Sequence, residues 1–296
     1  MNEKTTLSFD EKVAIFKATA ENPVRRSEFA QSRAEVILPL IDAQSTIRAI
    51  FKPEQLPVSA EARYDIPFDD VDCVWLMPQI GGIPQIQLEG TEISVSTFGV
   101  DAAVQYQMDI AKQGRFDVAT RATQLLKNKI IEQEELAGWS LIHAHAAVIG
   151  ASQQITDTGL NVSAFNKVLT AGDMLRRSIT DMYVSPSRYG DLREWVQAAD
   201  LAQTVKTSAF TAAGMGNIWG ITVHKVYNPA LVANNKAYAF GQRDGFTYGV
   251  MPIRETLQTY DNPIAVLEWK IGIMARENLG FAVLDDKALY EMTFSA

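Results

Sequence analysis

The stretch that most constrains the fold is residues 116–147, one long helical pattern near the middle of the chain. It contains no proline and is rich in Ala, Leu, Gln, Lys and Glu, and the carboxylate of Asp117 can cap its first turn. Roughly 30 residues of helix extend about 45 Å. The pattern therefore predicts a spine helix that runs along an elongated molecule.

The same stretch predicts which side of the spine helix is buried. Apolar residues recur at three- and four-residue steps, as on one face of an amphipathic helix. The predicted buried stripe consists of Val118, Ala122, Leu125, Leu126, Ile130, Leu136, Ala137 and Leu141. The charged residues expected mostly on the opposite, solvent-facing side are Lys127, Glu132, Glu134 and Glu135.

Composition and charge exclude several classes of protein. With 296 residues, 47% of them hydrophobic, the chain can form one large or two ordinary domains. Residues 7–20 are amphipathic and no apolar run approaches the ~18 residues of a membrane span, which predicts a protein made and kept in the cytoplasm, or in something assembled there. The single cysteine and three histidines predict neither an internal disulfide nor a structural zinc site. A net charge of −8 argues against general nucleic-acid binding.

The chain before the hairpin is predicted to form an arm. Ser8 and Glu11 fit a capping box, and the apolar spacing over 9–20 predicts a short amphipathic helix that Pro23 brings to an end. The segment that follows contains three further prolines and no sustained apolar period. It is expected to be extended and to lie over another surface.

A long acidic hairpin is predicted between the arm and the spine helix. Residues 64–100 alternate with a period of two, and Gly81-Gly82 is placed for a tight turn between two strands. From Tyr64 to Ala111 there is no Lys or Arg, but there are eight acidic residues: Asp65, Asp69, Asp70, Asp72, Glu89, Glu92, Asp101 and Asp109.

The second half of the chain predicts a mixture of helices and strands, which gives an α+β fold. Helices are expected at 162–170 and 187–200, and short strands at 182–185, 219–226, 237–240 and 246–252. Residues 263–275 predict a long strand with Leu267, Trp269, Ile271 and Ile273 on one face. Arg276, Glu277 and Asn278 are expected to form a turn, followed by strands at 281–284 and 290–294.

Two motifs that suggest ligand chemistry have simpler structural interpretations. Gly214, Gly216 and Gly220 precede a strand and lack the Lys-Ser/Thr of a phosphate loop, so they indicate a bend. His143 and His145 stand two positions apart on the spine helix, where side chains diverge by about 200°. They are therefore expected to be a helix-end pair and not two ligands of one metal ion.

The remaining reactive side chains form no catalytic constellation. Ser185 and Ser187 lack the elbow motif of a serine hydrolase, and Cys73 lies in an alternating strand, as a small core residue does. The acidic cluster of Asp69, Asp70 and Asp72 lacks the glycine and the closing glutamate of a calcium loop, which favours a solvated or partner-facing surface over a cation site. We expect no catalytic residue, no cofactor and no metal.

The order of elements resembles the major capsid proteins of tailed double-stranded DNA phages, the Hong Kong 97-type fold. The closest resemblance is in 260–296 (YDNPIAVLEWKIGIMARENLGFAVLDDKALYEMTFSA), and the segment 183–195 (YVSPSRYGDLREW) is similar to the entry into that family's axial domain. The resemblance implies an N-terminal arm (1–62), an extended loop (63–98), a peripheral domain (99–150 and 256–278) and an axial domain (151–255 and 279–296).

By this resemblance the chain is a structural subunit and not an enzyme. It is expected to assemble in the host cytoplasm into pentamers and hexamers of an icosahedral head, and to enclose DNA in the virion without reading its sequence. The implied partners are a scaffolding protein, a portal and a decoration protein. A bacterial encapsulin shell and an α+β enzyme with an unrecognised site remain the alternatives.

The resemblance also bears on contacts between subunits. Some family members begin with a scaffold-like segment of about a hundred residues; about sixty precede the hairpin here, so a separate scaffold is expected. The family's lysine–asparagine crosslink lacks both partners, since no lysine lies between Lys52 and Lys112 and 263–275 contains no asparagine. The acidic hairpin, including Glu89 and Glu92, is expected to dock on basic residues of a neighbouring copy: Arg25, Arg26, Arg115, Arg121, Lys127 and Lys129.

Overall fold

A computed structural model describes residues 22–57, 59–66, 92–107, 109, 116–198, 216–243, 247–261 and 270–295. The predicted helix over 9–20, the hairpin tip with Gly81-Gly82, Cys73, Gly214 and the start of the strand predicted at 263–275 lie outside these residues. The predictions made for them stay predictions.

Helices and strands are interspersed along the described chain. The helices are α1 Pro23–Gln44, α2 Thr46–Ile50, α3 Phe116–Ala146, α4 Val162–Met174 and α5 Pro186–Ala198. The first strands are β1 Phe51–Gln55, β2 Arg63–Asp65, β3 Glu92–Ser94, β4 Phe98–Gln107, β5 Gln154–Asp157, β6 Ser178–Val184 and β7 Gly216–Ile218. The others are β8 Ile221–Lys225, β9 Lys236–Gln242, β10 Gly249–Asp261, β11 Lys270–Leu279, β12 Ala282–Val283 and β13 Leu289–Phe294.

These strands form two large sheets and one small ladder. The first sheet has the order β1-β10-β11-β4, with β12 paired to the start of β10. The second has the order β5-β13-β9-β6-β8-β7. The ladder pairs β2 with β3 in antiparallel register, with Tyr64 opposite Ile93. The antiparallel pairing expected at the base of the hairpin is therefore present.

The first sheet carries α1 and α3 on its inner face. One apolar cluster joins the helices to the sheet, and its fully buried residues include Ile37 and Ile41 of α1, Leu126 and Ile130 of α3 and Phe51 of β1.

The same cluster continues into the second sheet. There Trp139 of α3 packs edge-on against the ring of Tyr183 of β6, with 5.8 Å between the ring centroids. Complete burial of each aliphatic side chain of this cluster contributes about 1.5–3 kcal/mol, so the cluster holds the spine helix against both sheets.

The second sheet has its own core beneath α4. Phe165 and Val168 of α4 pack against Met182 and Val184 of β6, and all four side chains are fully buried. Asn161 begins α4, because its side chain accepts a hydrogen bond from the Ala164 N–H at 3.0 Å. The helix predicted at 162–170 is confirmed and continues to residue 174.

The extended conformation predicted after Pro23 is wrong for residues 23–44, which form the 22-residue helix α1, although residues 51–55 of the same segment form the strand β1. Asn22 caps the helix by accepting from the Val24 N–H at 3.0 Å, and Pro23 takes the first helical position, where a missing N–H costs nothing. Pro39 lies inside α1. Burial of Ala30, Ile37 and Ile41 against the first sheet outweighs the hydrogen bond that this proline removes.

The spine helix is confirmed with bounds Phe116–Ala146, but its buried stripe differs from the predicted one. Leu125 and Leu136 are 48% and 39% exposed. The stripe follows strict four-residue steps through Ala122, Leu126, Ile130, Glu134, Gly138, Ile142 and Ala146. A Cβ at Gly138 would lie 2.7 Å from Cγ2 of Ile47, so glycine is what allows α2 to lie this close.

The turn predicted at 276–278 is also wrong, because β11 runs without a break from Lys270 to Leu279. It pairs with β4 in regular antiparallel register, from Lys270 opposite Gln107 to Leu279 opposite Phe98. Charged residues in this stretch suggested a turn. In the structure Glu277 points inward and is fully buried.

Candidate assembly surface

Most of the predicted acidic contact residues lie outside the described part of the chain. This is the case for Asp69, Asp70, Asp72 and Glu89, and for the basic residue Arg115. Their docking role stays a prediction.

Glu92, at the start of β3, lies at the base of the hairpin. Nη1 of Arg63 in β2 is 3.4 Å from Oε2 of Glu92, and Nε of Arg63 donates to Oε2 of Glu61 at 2.6 Å. Asp101 is also opposed within the chain, with Nε of Arg276 3.5 Å from its Oδ1. Two acids of the predicted run thus face an arginine of their own chain. Arg63 immediately precedes the run in sequence, whereas Arg276 belongs to the distant strand β11.

The basic residues that were predicted to receive the hairpin, where the structure describes them, lie on two helices that pack against each other. Arg25 and Arg26 are in the first turn of α1, and not at the end of an arm helix as expected. Arg121 and Lys129 are exposed on α3, and Lys127 is half-buried there. Lys129 already pairs with Glu132 at 2.6 Å, so it is a weaker candidate for an acidic partner than Arg121.

The outer face of the first sheet is a candidate contact surface that the sequence analysis missed. Side chains alternate along β4, β10 and β11, so that one set faces α1 and α3 and the other faces outward. The outward set includes Ala103, Tyr260 and Met274, with Tyr260 43% and Met274 38% exposed. They line a groove of about 410 Å³ with Asp101 and Arg276 at its rim. The sequence did contain a signal for this surface. In a strand whose outer face is solvated, every second residue is expected to be polar, but apolar residues occupy some of these positions here.

A second exposed patch lies at the end of β8. The Tyr227 ring is 73% exposed, and Nζ of Lys225 lies 4.7 Å from its centroid and 5.3 Å from that of Tyr189. Tyrosine is enriched at contact surfaces between proteins, so the exposed ring of Tyr227 is a second candidate contact.

A buried charged cluster joins the spine helix to both neighbouring elements. Arg48 of α2 donates from Nε and Nη2 to the two carboxylate oxygens of Glu134 at 3.0 and 2.8 Å. The same Nη2 lies 2.9 and 2.8 Å from the two oxygens of Glu277. Burial, followed by the adjacent Glu134 charge, raises the pKa of Glu277 to about 7 against the opposing effect of Arg48. The predicted solvent-facing position of Glu134 is wrong, because the cluster encloses it.

The histidines make contacts that fit structural roles. Nε2 of His143 lies 2.8 Å from the Leu231 carbonyl oxygen, and Nδ1 of His145 lies 3.0 Å from the Tyr248 hydroxyl. Burial lowers the pKa of His145. The two rings thus contact different elements, as the pair interpretation predicts. No group of three metal-ligating side chains occurs among the described residues.

The glycine-containing stretch before β8 forms a tight hairpin turn. Ile218 pairs with Ile221 across β7 and β8, so Trp219 and Gly220 are the two turn residues. Their φ angles of +53° and +86° fit a primed two-residue turn. The prediction of a bend at this stretch is confirmed for Gly220.

The fold is similar to that of several solved structures of phages and of a virus-like particle. A Microbacterium phage Oxtober96 structure matches with a TM-score of 0.59 at 12% identity, covering 85% of this chain and 91% of that one. The capsid of cyanophage P-SCSP1u matches with a TM-score of 0.57 at 11% identity over 83% and 86%. A virus-like particle from Pyrococcus furiosus matches with a TM-score of 0.53 at 13% identity over 88% and 98%. Among curated proteins, none matches the chain.

These likenesses define the class as an α+β capsid fold, which confirms the predicted fold class. The sequence profile of the phage capsid protein family matches residues 89–292. The chain belongs to this family, and a protein of this family is a component of the virion. In the described part of the chain, no helix is both long and apolar enough to cross a bilayer.

Proposed function

We propose that the chain is the major capsid protein of a tailed phage, with a Hong Kong 97-type fold, and that its copies close into an icosahedral head around double-stranded DNA. The observation that carries this proposal is the phage capsid family match across 89–292, which covers the spine helix and the strands of both large sheets except β1 and the end of β13. Its role is structural, and the protein acts by association and not by catalysis.

The small β2–β3 ladder supports association between copies. It pairs three residues on each side and belongs to neither large sheet. A two-stranded ribbon of this kind is marginally stable in water without a covering surface. The chain itself covers part of the ladder, since Tyr64 and Ile93 pack against a cluster that contains Val250 and Ala282. Neighbouring copies in a closed shell supply further cover.

The contact that we propose is between the acidic hairpin of one copy and basic residues of the next. Asp69, Asp70, Asp72 and Glu89 are the acidic side, and Glu92 contributes less because Arg63 faces it. Arg25, Arg26, Arg121 and Lys127 are the basic side. An exposed pair contributes only about 0.2–1 kcal/mol, so the contact gains its strength by repetition around the shell.

The proposed partners follow from the same role. Pentamers and hexamers of the chain form the shell, with a scaffolding protein, a portal and a decoration protein as further partners. The net charge of −8 disfavours tight binding of packaged DNA. DNA is enclosed without sequence-specific recognition.

Nuclease protection of particles from phage-producing cells tests this function. We expect particles that contain the chain to hold double-stranded DNA that resists nuclease until the particle is disrupted. Particles that lack DNA and instead enclose an enzyme would indicate an encapsulin-type container. A chain that sediments only as a small oligomer in these cells would contradict both.

A further inference from the structure

Arg48, Glu134 and Glu277 are three ionisable side chains enclosed together, with 4%, 0% and 0% of their side-chain surfaces exposed. They come from three elements, α2, α3 and β11. If all three were ionised, two negative charges would face one positive charge. A net charge of −1 would then be buried without compensation, which is costly in a protein interior.

In the part of the chain that the structure describes, the neighbouring elements offer no further charge that acts on Glu277. Arg48 and Glu134 are the charged groups that act on Glu277 among the described residues. Arg276, the preceding residue of β11, points to the opposite face of the sheet, where it meets Asp101 of β4. Glu135, the next residue of α3, instead accepts from the N–H and the hydroxyl of Thr46 at 3.2 and 2.9 Å.

The geometry distinguishes the two carboxylates. Glu134 accepts from both Nε and Nη2 of Arg48, which is the bidentate arrangement that best stabilises an ionised carboxylate. Both oxygens of Glu277 share the single nitrogen Nη2. Glu277 is therefore the weaker partner of Arg48 and the natural holder of a proton, which it can share with Glu134.

We propose that Arg48, Glu134 and Glu277 form a proton-dependent joint that holds β11 against α2 and the spine helix. With a proton on Glu277 the cluster is neutral, and all three elements are held together. Release of that proton to solvent leaves one uncompensated negative charge in the core and weakens the joint. This inference concerns the stability of the subunit and does not depend on the proposed shell.

The direction of the pH effect follows from the raised pKa of Glu277. The folded chain holds this proton more tightly than the unfolded chain, so the stabilisation is complete below pH 4.5 and is lost as the pH rises to about 7. Within this window, loss of the proton raises the unfolding equilibrium constant by up to about tenfold for each unit by which the pH rises. The lowered pKa of His145 acts in the opposite sense, so the test must compare variants and not absolute curves.

The first test measures the unfolding equilibrium constant of the full chain from pH 4.5 to 8 for wild type and Glu277→Gln. The amide is a neutral replacement for the protonated carboxyl. We expect the ratio of the wild-type constant to the variant constant to rise by up to about tenfold per pH unit and to level off near pH 7. Glu28→Gln, at an exposed position of α1, is the matched control and should give a ratio that does not vary with pH. A flat ratio for Glu277→Gln overturns the proposal.

Infrared spectroscopy of the wild-type chain provides a second test that needs no variant to fold. Exposed carboxyls are ionised at pH 6, so a carbonyl band of a protonated carboxyl at that pH reports a buried one. We expect this band at pH 6 and its loss by pH 9. Its absence at pH 6 overturns the proposal whatever the variants do.

Discussion

Arg48 and Glu134 are 86 residues apart in sequence, yet two hydrogen bonds of 3.0 and 2.8 Å join them inside the protein. One follows α1 and the other lies in the middle of the spine helix. The pair therefore attaches α2 to the spine helix, which packs against both sheets.

Removal of the positive charge of this pair should destabilise the subunit severely. Arg48→Met leaves Glu134 and Glu277 buried beside each other without a cation, which costs about 3–5 kcal/mol of unfolding free energy. Denaturant unfolding measures the loss. Arg121→Met removes an exposed arginine and should leave the midpoint unchanged. A loss for Arg48→Met below about 1 kcal/mol would contradict the assigned role.

Two helical glycines should respond in opposite ways to alanine. At Gly138 the new Cβ would lie 2.7 Å from Ile47, so we expect Gly138→Ala to cost about 1–3 kcal/mol. At Gly190 in α5 no atom lies within 4 Å of the new Cβ, so Gly190→Ala should stabilise by about 0.5–1 kcal/mol through helix propensity. Thermal unfolding of both variants is the measurement. Equal effects would show that α2 does not approach α3 this closely.

The shell is expected to carry no lysine–asparagine crosslink. The strand β11 extends to Leu279 and therefore contains Asn278, so an asparagine is present in the long strand after all. The prediction now depends on the absence of any lysine between Lys52 and Lys112. Boiled particles should run on a denaturing gel as one band near 32.7 kDa. A ladder of covalent multimers that survives reductant would contradict this.

The acidic hairpin should matter for assembly and not for folding of the subunit. Replacement of Asp69, Asp70 and Asp72 together by Asn removes three charges from the proposed contact, and we expect impaired assembly with the largest loss at low ionic strength. Light scattering across a salt series measures assembly. Asp173→Asn, an exposed acid of α4, serves as a control of similar chemistry. If the triple variant assembles like wild type at every salt concentration, the acidic run is a solvated surface.

Local patterns predicted the elements whose causes are local. The spine helix, α4 and α5 follow from apolar spacing and from capping residues such as Asn161. The errors arose where a distant partner decides the outcome. Glu134 and Glu277 look like surface residues in sequence, and only the approach of Arg48 from 86 and 229 positions away makes their burial tolerable.

Pro23 illustrates the same limit at a helix boundary. A proline can end a preceding helix or begin a following one, and the apolar spacing over 9–20 favoured the prediction that Pro23 ends a helix. Asparagine is a preferred N-cap residue, so the capping role of Asn22 could have been predicted from the sequence. The packing of α1 on β10, which stabilises the helix through Pro39, was not, because it depends on a strand more than 200 residues away.

Negative-stain electron microscopy of the purified chain, alone and co-expressed with its scaffold, tests the central claim most directly. We predict closed shells of uniform size, built from rings of five and six copies. A monodisperse monomer or dimer under all of these conditions would contradict the account.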